Sequence, residues 1–211
     1  SVIAQLTTTS LYEGVISNPA LSADATEVYF NIGFGLNRLN ITTGESSPEI
    51  AVFDLAHVFF SDTMPLAISI VSRTNALDMW DMTDNDSRIW DTSLGAPANE
   101  TMESIGTFSP DSSQIAVVMT NAIRVYDTSR RVTPGSPTLL DRRGLDISAV
   151  TFSHDNTTLY ATVNAVDGVV TYGVARWDIE TGTRTLINIP HVNRINAIDI
   201  STDGTQLLTT S

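Results

Sequence analysis

The stretch that decides the fold is residues 107–129, "TFSPDSSQIAVVMTNAIRVYDTS". β-Branched and aromatic residues lie on both sides of a Ser-Pro-Asp-Ser sequence, which predicts a strand, a tight turn and a second strand. Pro110 presets the backbone dihedral angle of the turn, and Asp111 can accept hydrogen bonds from amides two residues further on. The run "QIAVVM" is apolar at consecutive positions, which predicts a strand that is covered on both faces.

The same pattern recurs along the chain, each time as a serine with an aspartate one or two positions later. A strand-like segment follows each turn: "EVYFNI", "PLAISIV", "QIAVVM", "TLYATV" and "QLLTT". The spacing of between about 39 and 48 residues is typical of one four-stranded propeller blade per repeat. The serines are Ser22, Ser61, Ser109, Ser153 and Ser201, and the aspartates are Asp24, Asp62, Asp111, Asp155 and Asp203.

A third predicted strand in each repeat ends with a large apolar residue and a short polar one. The pairs are Leu39-Asn40, Trp80-Asp81, Tyr126-Asp127 and Trp177-Asp178. At these residues the chain resembles the WD40 repeat family, whose repeats pass through an S-P-D-G turn and end the third strand on Trp-Asp. The resemblance implies a β-propeller that serves as a rigid platform for protein partners, and it favours a cytoplasmic location.

The chain departs from this family at the histidine that precedes each turn serine by about ten residues. Only His191 occupies that position, with Pro190 where the family has glycine, and Thr209 is the expected hydroxyl partner of His191. The other repeats have Tyr12, Ala51, Asn99 and Arg143. We therefore expect divergent repeats whose blades are held by apolar stacking. Other propeller families with S-P-D-G turns, such as the TolB-like propellers, fit the same pattern.

These patterns predict an all-β fold: one β-propeller region over residues 1–211, made of four-stranded antiparallel blades with about five repeats visible. The segments outside the first and last turns are too short to complete a blade together, so we expect an incomplete ring. Unpaired strand edges are templates for association with other chains. We therefore expect such a chain to be marginally stable alone and to self-associate through its blade edges.

Composition limits the functions that the chain can perform. The formal net charge is -13, every basic residue is arginine, and cysteine is absent. A strongly negative surface repels phosphate backbones, so we expect no nucleic-acid partner. The lack of cysteine excludes disulfides and cysteine-based zinc sites. No apolar run reaches the ~20 residues that cross a bilayer, and no leader is visible, so we expect no membrane partner.

Few residues have the pattern of a catalytic or metal site. His154 lies in a turn and His57 opens a strand, so structural roles fit both. The catalytic motifs for serine hydrolases, zinc proteases and phosphate-binding loops are absent. Asp81, Asp84 and Asp86 lie in one acidic loop with Asp91, but their spacing differs from that of the EF-hand. The sequence therefore predicts no catalytic residue, metal or cofactor.

The residues that best fit partner binding lie in the connections between repeats. Paired Arg142 and Arg143 could bind carboxylates of a peptide, or they could only neutralise Asp141 and Asp146 beside them. The predicted partner-binding rim contains Arg142, Arg143, His191 and Arg194. The insert "NAVDGVVTYG" places Asp167-Gly168 at a hairpin tip, as a recognition feature or as tolerated length.

The sequence as a whole favours a non-catalytic scaffold that binds a protein or peptide. Two alternatives stay open: a propeller with an axial site for a small ligand or for hydrolysis, and a propeller that regulates an enzyme domain outside this chain.

Overall fold

The structure is a computed structural model that describes residues 16–22, 24–32, 35–50, 55–71, 76–82, 87–93, 100–130, 135–189, 191–201 and 203–211. Within these ranges the regular structure consists of β-strands, and no helix is present. No helix in this part of the chain could span a lipid bilayer. The chain divides into two compact units, Ser1–Phe53 and Asp54–Ser211.

The first unit contains one antiparallel sheet with the strand order β1-β2-β3-β4. Its core includes the buried side chains of Tyr29 and Leu36. The pairing of β1 with β2 shifts between Ser17 and Ala20, where Pro19 has no N–H to donate to the ladder. The strands are β1 (Ile16–Leu21), β2 (Glu27–Ile32), β3 (Gly35–Asn40) and β4 (Ser46–Ile50).

The second unit begins with two four-stranded antiparallel sheets, in each of which the strands pair in chain order. One sheet has β5 (Leu55–Phe60), β6 (Leu66–Val71), β7 (Ala76–Asp81) and β8 (Ser87–Ser93). The next has β9 (Met102–Phe108), β10 (Gln114–Met119), β11 (Ala122–Asp127) and β12 (Thr138–Asp141). Both match the predicted blade.

Two further sheets complete the second unit. In the first of them, β13 and β14 both pair with β15, which pairs with β16, which pairs with β17. Its strands are β13 (Leu145–Asp146), β14 (Val150–Phe152), β15 (Thr158–Val166), β16 (Val169–Asp178) and β17 (Arg184–Asn188). The last sheet pairs β18 (Ala197–Ile200) with β19 (Leu207–Thr210).

The sheet β9–β12 packs on both of its faces. Val117 belongs to an apolar cluster with Ile68 and Met79 of the preceding sheet, while Ala116 and Val118 join a cluster with residues of the following sheet, such as Leu159. Successive side chains of a strand point to opposite faces, so a doubly covered strand must be apolar at every position. The consecutive apolar residues of β10 therefore confirm the sequence prediction.

In the second unit, the strands β5, β9, β14 and β18 of successive sheets run in the same direction. Arg142, which precedes β14, is paired with Glu103 at the start of β9. Ser148, also before β14, donates a hydrogen bond to the carbonyl oxygen of Ile195, just before β18. The turns at the far ends of β5 and β9 meet through Ser61 and Ser112. The connections between sheets therefore lie at one end of these strands and the serine turns at the other.

The position three residues after the turn serine adopts a left-handed backbone in four repeats. The φ angles are 55° at Ala25, 60° at Ser112, 62° at Asn156 and 69° at Gly204. This conformation suits glycine and strains residues with a Cβ atom. The glycine of the S-P-D-G pattern is therefore replaced in three repeats at a cost in strain.

We predict that Ala25→Gly stabilises the first unit by up to about 1 kcal/mol, because glycine relieves the left-handed strain. Gly204→Ala is expected to destabilise the last sheet by about 1 kcal/mol for the same reason. The control is Ala197→Gly in β18, where added backbone freedom costs about 0.5–1 kcal/mol. Denaturant unfolding measures all three variants. Equal destabilisation by Ala25→Gly and Ala197→Gly would show that the backbone at Ala25 is not strained.

Candidate interaction surface

The serine turns are held by one hydrogen-bond pattern. In the turn at Ser153, the hydroxyl donates to Asp155 Oδ1 at 2.6 Å and accepts from the amide of Thr158 at 2.9 Å. Asp155 Oδ1 also accepts from the amide and the hydroxyl of Thr157. The same pattern occurs at Ser22 with Asp24, at Ser109 with Asp111 and at Ser201 with Asp203. Four predicted aspartates are therefore structural turn residues.

These bonds favour the ionised carboxylate. Hydrogen bonds from Ser153 and Thr157 lower the pKa of Asp155 to about 2. Hydrogen bonds from Ser201 and Thr205 lower the pKa of Asp203 to about 2 as well. Both side chains are exposed, so desolvation opposes the charge only slightly.

The turn at Ser61 differs from the other four. Its aspartate, Asp62, is exposed, and within the described part of the chain no group donates a hydrogen bond to its carboxylate. Instead, the hydroxyls of Ser61 and Thr63 both bond to the hydroxyl of Ser112 in the adjacent turn. Asp62 follows the serine by one residue instead of two, so its carboxylate cannot close the same ring of bonds. The expected structural role of Asp62 is thus corrected.

Three of the four large residues at the ends of the third strands are buried, namely Trp80, Tyr126 and Trp177, but their polar contacts differ; Leu39 is half-buried. Trp80 Nε1 donates to Ser69 Oγ at 2.9 Å, within one sheet. Trp177 Nε1 donates to the carbonyl oxygen of Asp141, in the neighbouring sheet, at 3.0 Å. Burial raises the pKa of the third residue, Tyr126. All three therefore anchor apolar packing, and the polar partner varies with the repeat.

The aspartates that follow these residues begin the turn into the outer strand. Asp127 Oδ1 accepts from the amide of Ser129 at 2.9 Å, and Asp178 Oδ1 accepts from the amide of Thr181 at 2.8 Å. Asp81 is half-buried at the end of β7. In the acidic loop, Asp84 and Asp86 lie outside the described residues. No group of three or more metal-binding side chains occurs among the residues that are described.

Two expected members of the partner-binding rim have structural partners. His191 Nε2 lies 2.8 Å from Thr209 Oγ1, which confirms the predicted hydrogen bond. Arg142 is 7% exposed; its Nη1 atom lies 2.7 Å from Glu103 Oε1, and its Nη2 donates to the carbonyl oxygen of Leu145 at 3.0 Å. Because its guanidinium group is buried and paired within the chain, Arg142 does not face a partner, and the prediction for it is corrected.

The other two arginines of the rim are exposed. Arg143 Nε lies 2.9 Å from Asp141 Oδ1, and Arg194 Nη1 lies 3.2 Å from Asp146 Oδ2. The side chains of Arg143 and Arg194 are 74% and 56% exposed, so solvent weakens both ion pairs. Such pairs can exchange partners when a second protein approaches. Of the neutralisation considered from the sequence, only the pair of Arg143 with Asp141 is present, because Asp146 pairs with Arg194 and Arg142 with Glu103; Arg143 and Arg194 stay accessible.

The hairpin between β15 and β16 lies beside both arginines. Asp146 of β13 pairs with Ala165 of β15, and the amide of Asp167 at the hairpin tip donates to the carbonyl oxygen of Gly144 at 2.6 Å. The predicted tip at Asp167-Gly168 is confirmed, with positive φ at both residues. We use the name arginine surface for Arg143, Arg194, their partners Asp141 and Asp146, and this hairpin tip.

A shallow depression of about 460 Å³ adjoins the arginine surface at Arg143. Glu100 forms one wall, and its Oε2 atom lies 2.9 Å from Nη2 of the buried Arg124. This buried pair was not predicted, since the two residues are far apart in the chain and no local pattern connects them. The remaining lining includes Asn121, Leu139, Leu140 and Asp141.

Comparison with known proteins shows the fold and no sequence family. No protein-family model and no curated protein matches the chain. The hydrazine synthase of Kuenenia stuttgartiensis is similar at a TM-score of 0.70 and 17% identity, over 99% of this chain and 58% of that one. The β-propeller domain of Cps50 (Swd1) from Myceliophteria thermophila is similar at a TM-score of 0.72 and 11% identity, over 97% and 64%.

The four-stranded antiparallel sheets together with these two likenesses define a β-propeller protein. The chain spans less than two thirds of the length of either structure. At 17% and 11% identity the likeness is one of fold alone.

We predict that acid weakens the serine turns in a defined pH range. The unfolded Asp155 binds its proton near pH 4 and the folded one near pH 2. Stability is therefore lost as the pH falls from about 4 to about 2, because the unfolded state binds more protons there. Asp155→Asn should reduce this dependence in thermal melts, and Asp62→Asn is the control. An unchanged pH dependence in Asp155→Asn would contradict the role of the turn carboxylate.

We also predict that adjacent arginines differ in their effect on stability. Arg142→Met should lower the free energy of unfolding by about 2 kcal/mol or more, because it leaves Glu103 and the Leu145 carbonyl without their buried partner. Arg143→Met should change it by less than about 0.5 kcal/mol, since its ion pair is exposed. Denaturant unfolding of both variants measures the difference, and similar values would refute the structural role of Arg142.

Proposed function

We propose that this protein is a non-catalytic interaction scaffold of divergent WD40-like repeats, and that the arginine surface binds a protein or peptide partner. One observation carries the proposal: two exposed, weakly paired arginines flank a hairpin tip that is fixed to rigid sheets. Rigid support lowers the ordering entropy that is lost on binding. Exposed arginine side chains can change conformation and form bidentate hydrogen bonds with carboxylates of a partner.

Side chains that could act in catalysis are held in structural hydrogen bonds, which supports a scaffold over an enzyme. His191 is hydrogen-bonded to Thr209, and four turn aspartates hold local backbone. The hydrogen bonds lower the pKa of each of the four turn aspartates, and a carboxylate with a lowered pKa is a poor general acid or base at neutral pH. The competing hypothesis is a propeller with an axial ligand site, which predicts turnover or tight binding of a small molecule.

We predict that Arg143→Glu with Arg194→Glu abolishes partner capture without lowering the melting temperature. Reversing both charges repels the acidic groups that the surface would bind, while the two ion pairs contribute little to stability. Arg176→Glu, at an exposed position of β16, is the matched control. Quantitative mass spectrometry should find proteins that are retained by the wild type and by Arg176→Glu but lost from the double variant.

Equal retention by the double variant would exclude the arginine surface as the binding site. If the wild type retained no protein and instead bound a small molecule, the scaffold function itself would be refuted.

A further inference from the structure

One strand of the second unit has an edge that its neighbour does not cover. β16 contains 10 residues and β17 only 5, and their pairing ends where Gly173 faces Asn188. β16 continues for the four residues Val169–Tyr172. On one side this segment runs along β15, where Val170 faces Ala165. On the other side no strand in the described part of the chain pairs with it, and we call this the open edge.

The geometry of the hairpin decides which backbone groups face the open edge. Asp167 and Gly168 have φ angles of 48° and 78°, as in the two-residue hairpin turn that needs a positive φ at both positions. In such a turn the amide of Val169 bonds back to the carbonyl of Val166. Hydrogen-bonding groups alternate sides along an antiparallel strand. The amide and carbonyl of Val170 therefore point away from β15, towards the open edge.

The segment is held in place from its other side. β13 pairs with the end of β15, placing Leu145 opposite Val166. At Gly144 an added Cβ atom would lie only 2.2 Å from Asp167 Oδ1, so the tip is packed closely against the turn that precedes β13. The buried Arg142 fixes that turn by donating to the Leu145 carbonyl. An edge that is fixed in this way needs little ordering when a strand is added.

The open edge lacks two of the features that usually protect an edge strand, charge and proline, although the pairing of β15 with β16 shifts register between Val163 and Ala165. Charged residues, proline and bulges are the usual means of protection. The outer strands β12 and β17 each carry a charge, at Asp141 and at Arg184. The segment Val169–Tyr172 contains no charge and no proline, and Val169 and Val170 are each 66% exposed.

We propose that the open edge binds an extended segment of a partner protein as an added β-strand, with arginine or lysine in that segment beside the hairpin tip. The charge argues for such an occupant. Asp167 is exposed and has no ion pair within the described part of the chain, and the net charge of -13 opposes pairing with a second copy. The proposal rests on the proposed function: acidic groups of the partner bind Arg143 and Arg194, while the added strand of the same partner places its basic side chain beside Asp167.

The test compares two variants at one position. Val170→Pro removes the outward amide, whereas Val170→Thr keeps the amide and the strand preference. The probe is a displayed library of random peptides, selected on the wild-type chain. Selected peptides should be rich in β-branched and basic residues and should bind Val170→Pro about tenfold more weakly, with only a small change for Val170→Thr. Val170→Lys should weaken binding similarly, and it replaces the proline variant if that variant melts early.

Three results would overturn strand addition by a basic segment. They are equal binding of the selected peptides by Val170→Pro, a selection that yields proline-rich peptides, peptides without arginine or lysine, or no peptide, and a wild-type dimer in sedimentation that Val170→Pro dissociates. The last result would identify a second copy as the occupant. If Arg143 and Arg194 reversal abolished capture of a partner that Val170→Pro still bound, strand addition would fail while the proposed function stood.

Discussion

The hydrogen-bonded ring between a turn serine and an aspartate two residues later is the interaction on which four of the five repeats depend. In the turn at Ser109, one hydroxyl and one carboxylate fix the reversal between β9 and β10 by bonding to Asp111, Ser113 and Gln114. Every partner in this ring is local, so the turn forms without help from another sheet. The rest of each repeat can therefore diverge in sequence while the strands keep their order.

Polar contacts between sheets differ from those within the turns, because they join residues that are far apart in the chain. The missing histidines led to the expectation that apolar stacking holds neighbouring sheets; apolar clusters do join the sheets of the second unit, and buried polar contacts join them as well. Asn164 Oδ1 accepts from the amide of Ile195 at 2.7 Å, and its Nδ2 donates to the carbonyl of the same residue at 3.3 Å. Buried polar groups of this kind must be paired, so they fix the register between sheets as well as adding stability.

Sequence predicts the local parts of this structure and misses the parts set by distant partners. The turns, the doubly covered β10 and the hairpin tip follow from residue types at close spacing. Arg142 and Arg143 are identical neighbours, yet Arg142 is buried and pairs with Glu103 of β9, whereas Arg143 is exposed. Nothing within a few residues of Arg142 indicates that partner. The family resemblance did identify one distant pair, His191 with Thr209.

Affinity and selectivity come from different groups in this chain: backbone hydrogen bonds supply affinity, and exposed charges supply selectivity. Seven arginines of the described part pair with carboxylates of the chain itself, namely Arg38, Arg88, Arg124, Arg130, Arg142, Arg143 and Arg194. Acidic side chains outside these pairs, such as Asp62 and Asp167, are exposed. Exposed charges steer encounter and reject like-charged molecules, but they contribute little affinity in water. Backbone hydrogen bonds along a fixed edge such as Val169–Tyr172 are short-ranged and indifferent to charge. A surface that combines both can select a basic partner at a distance and bind its main chain on contact.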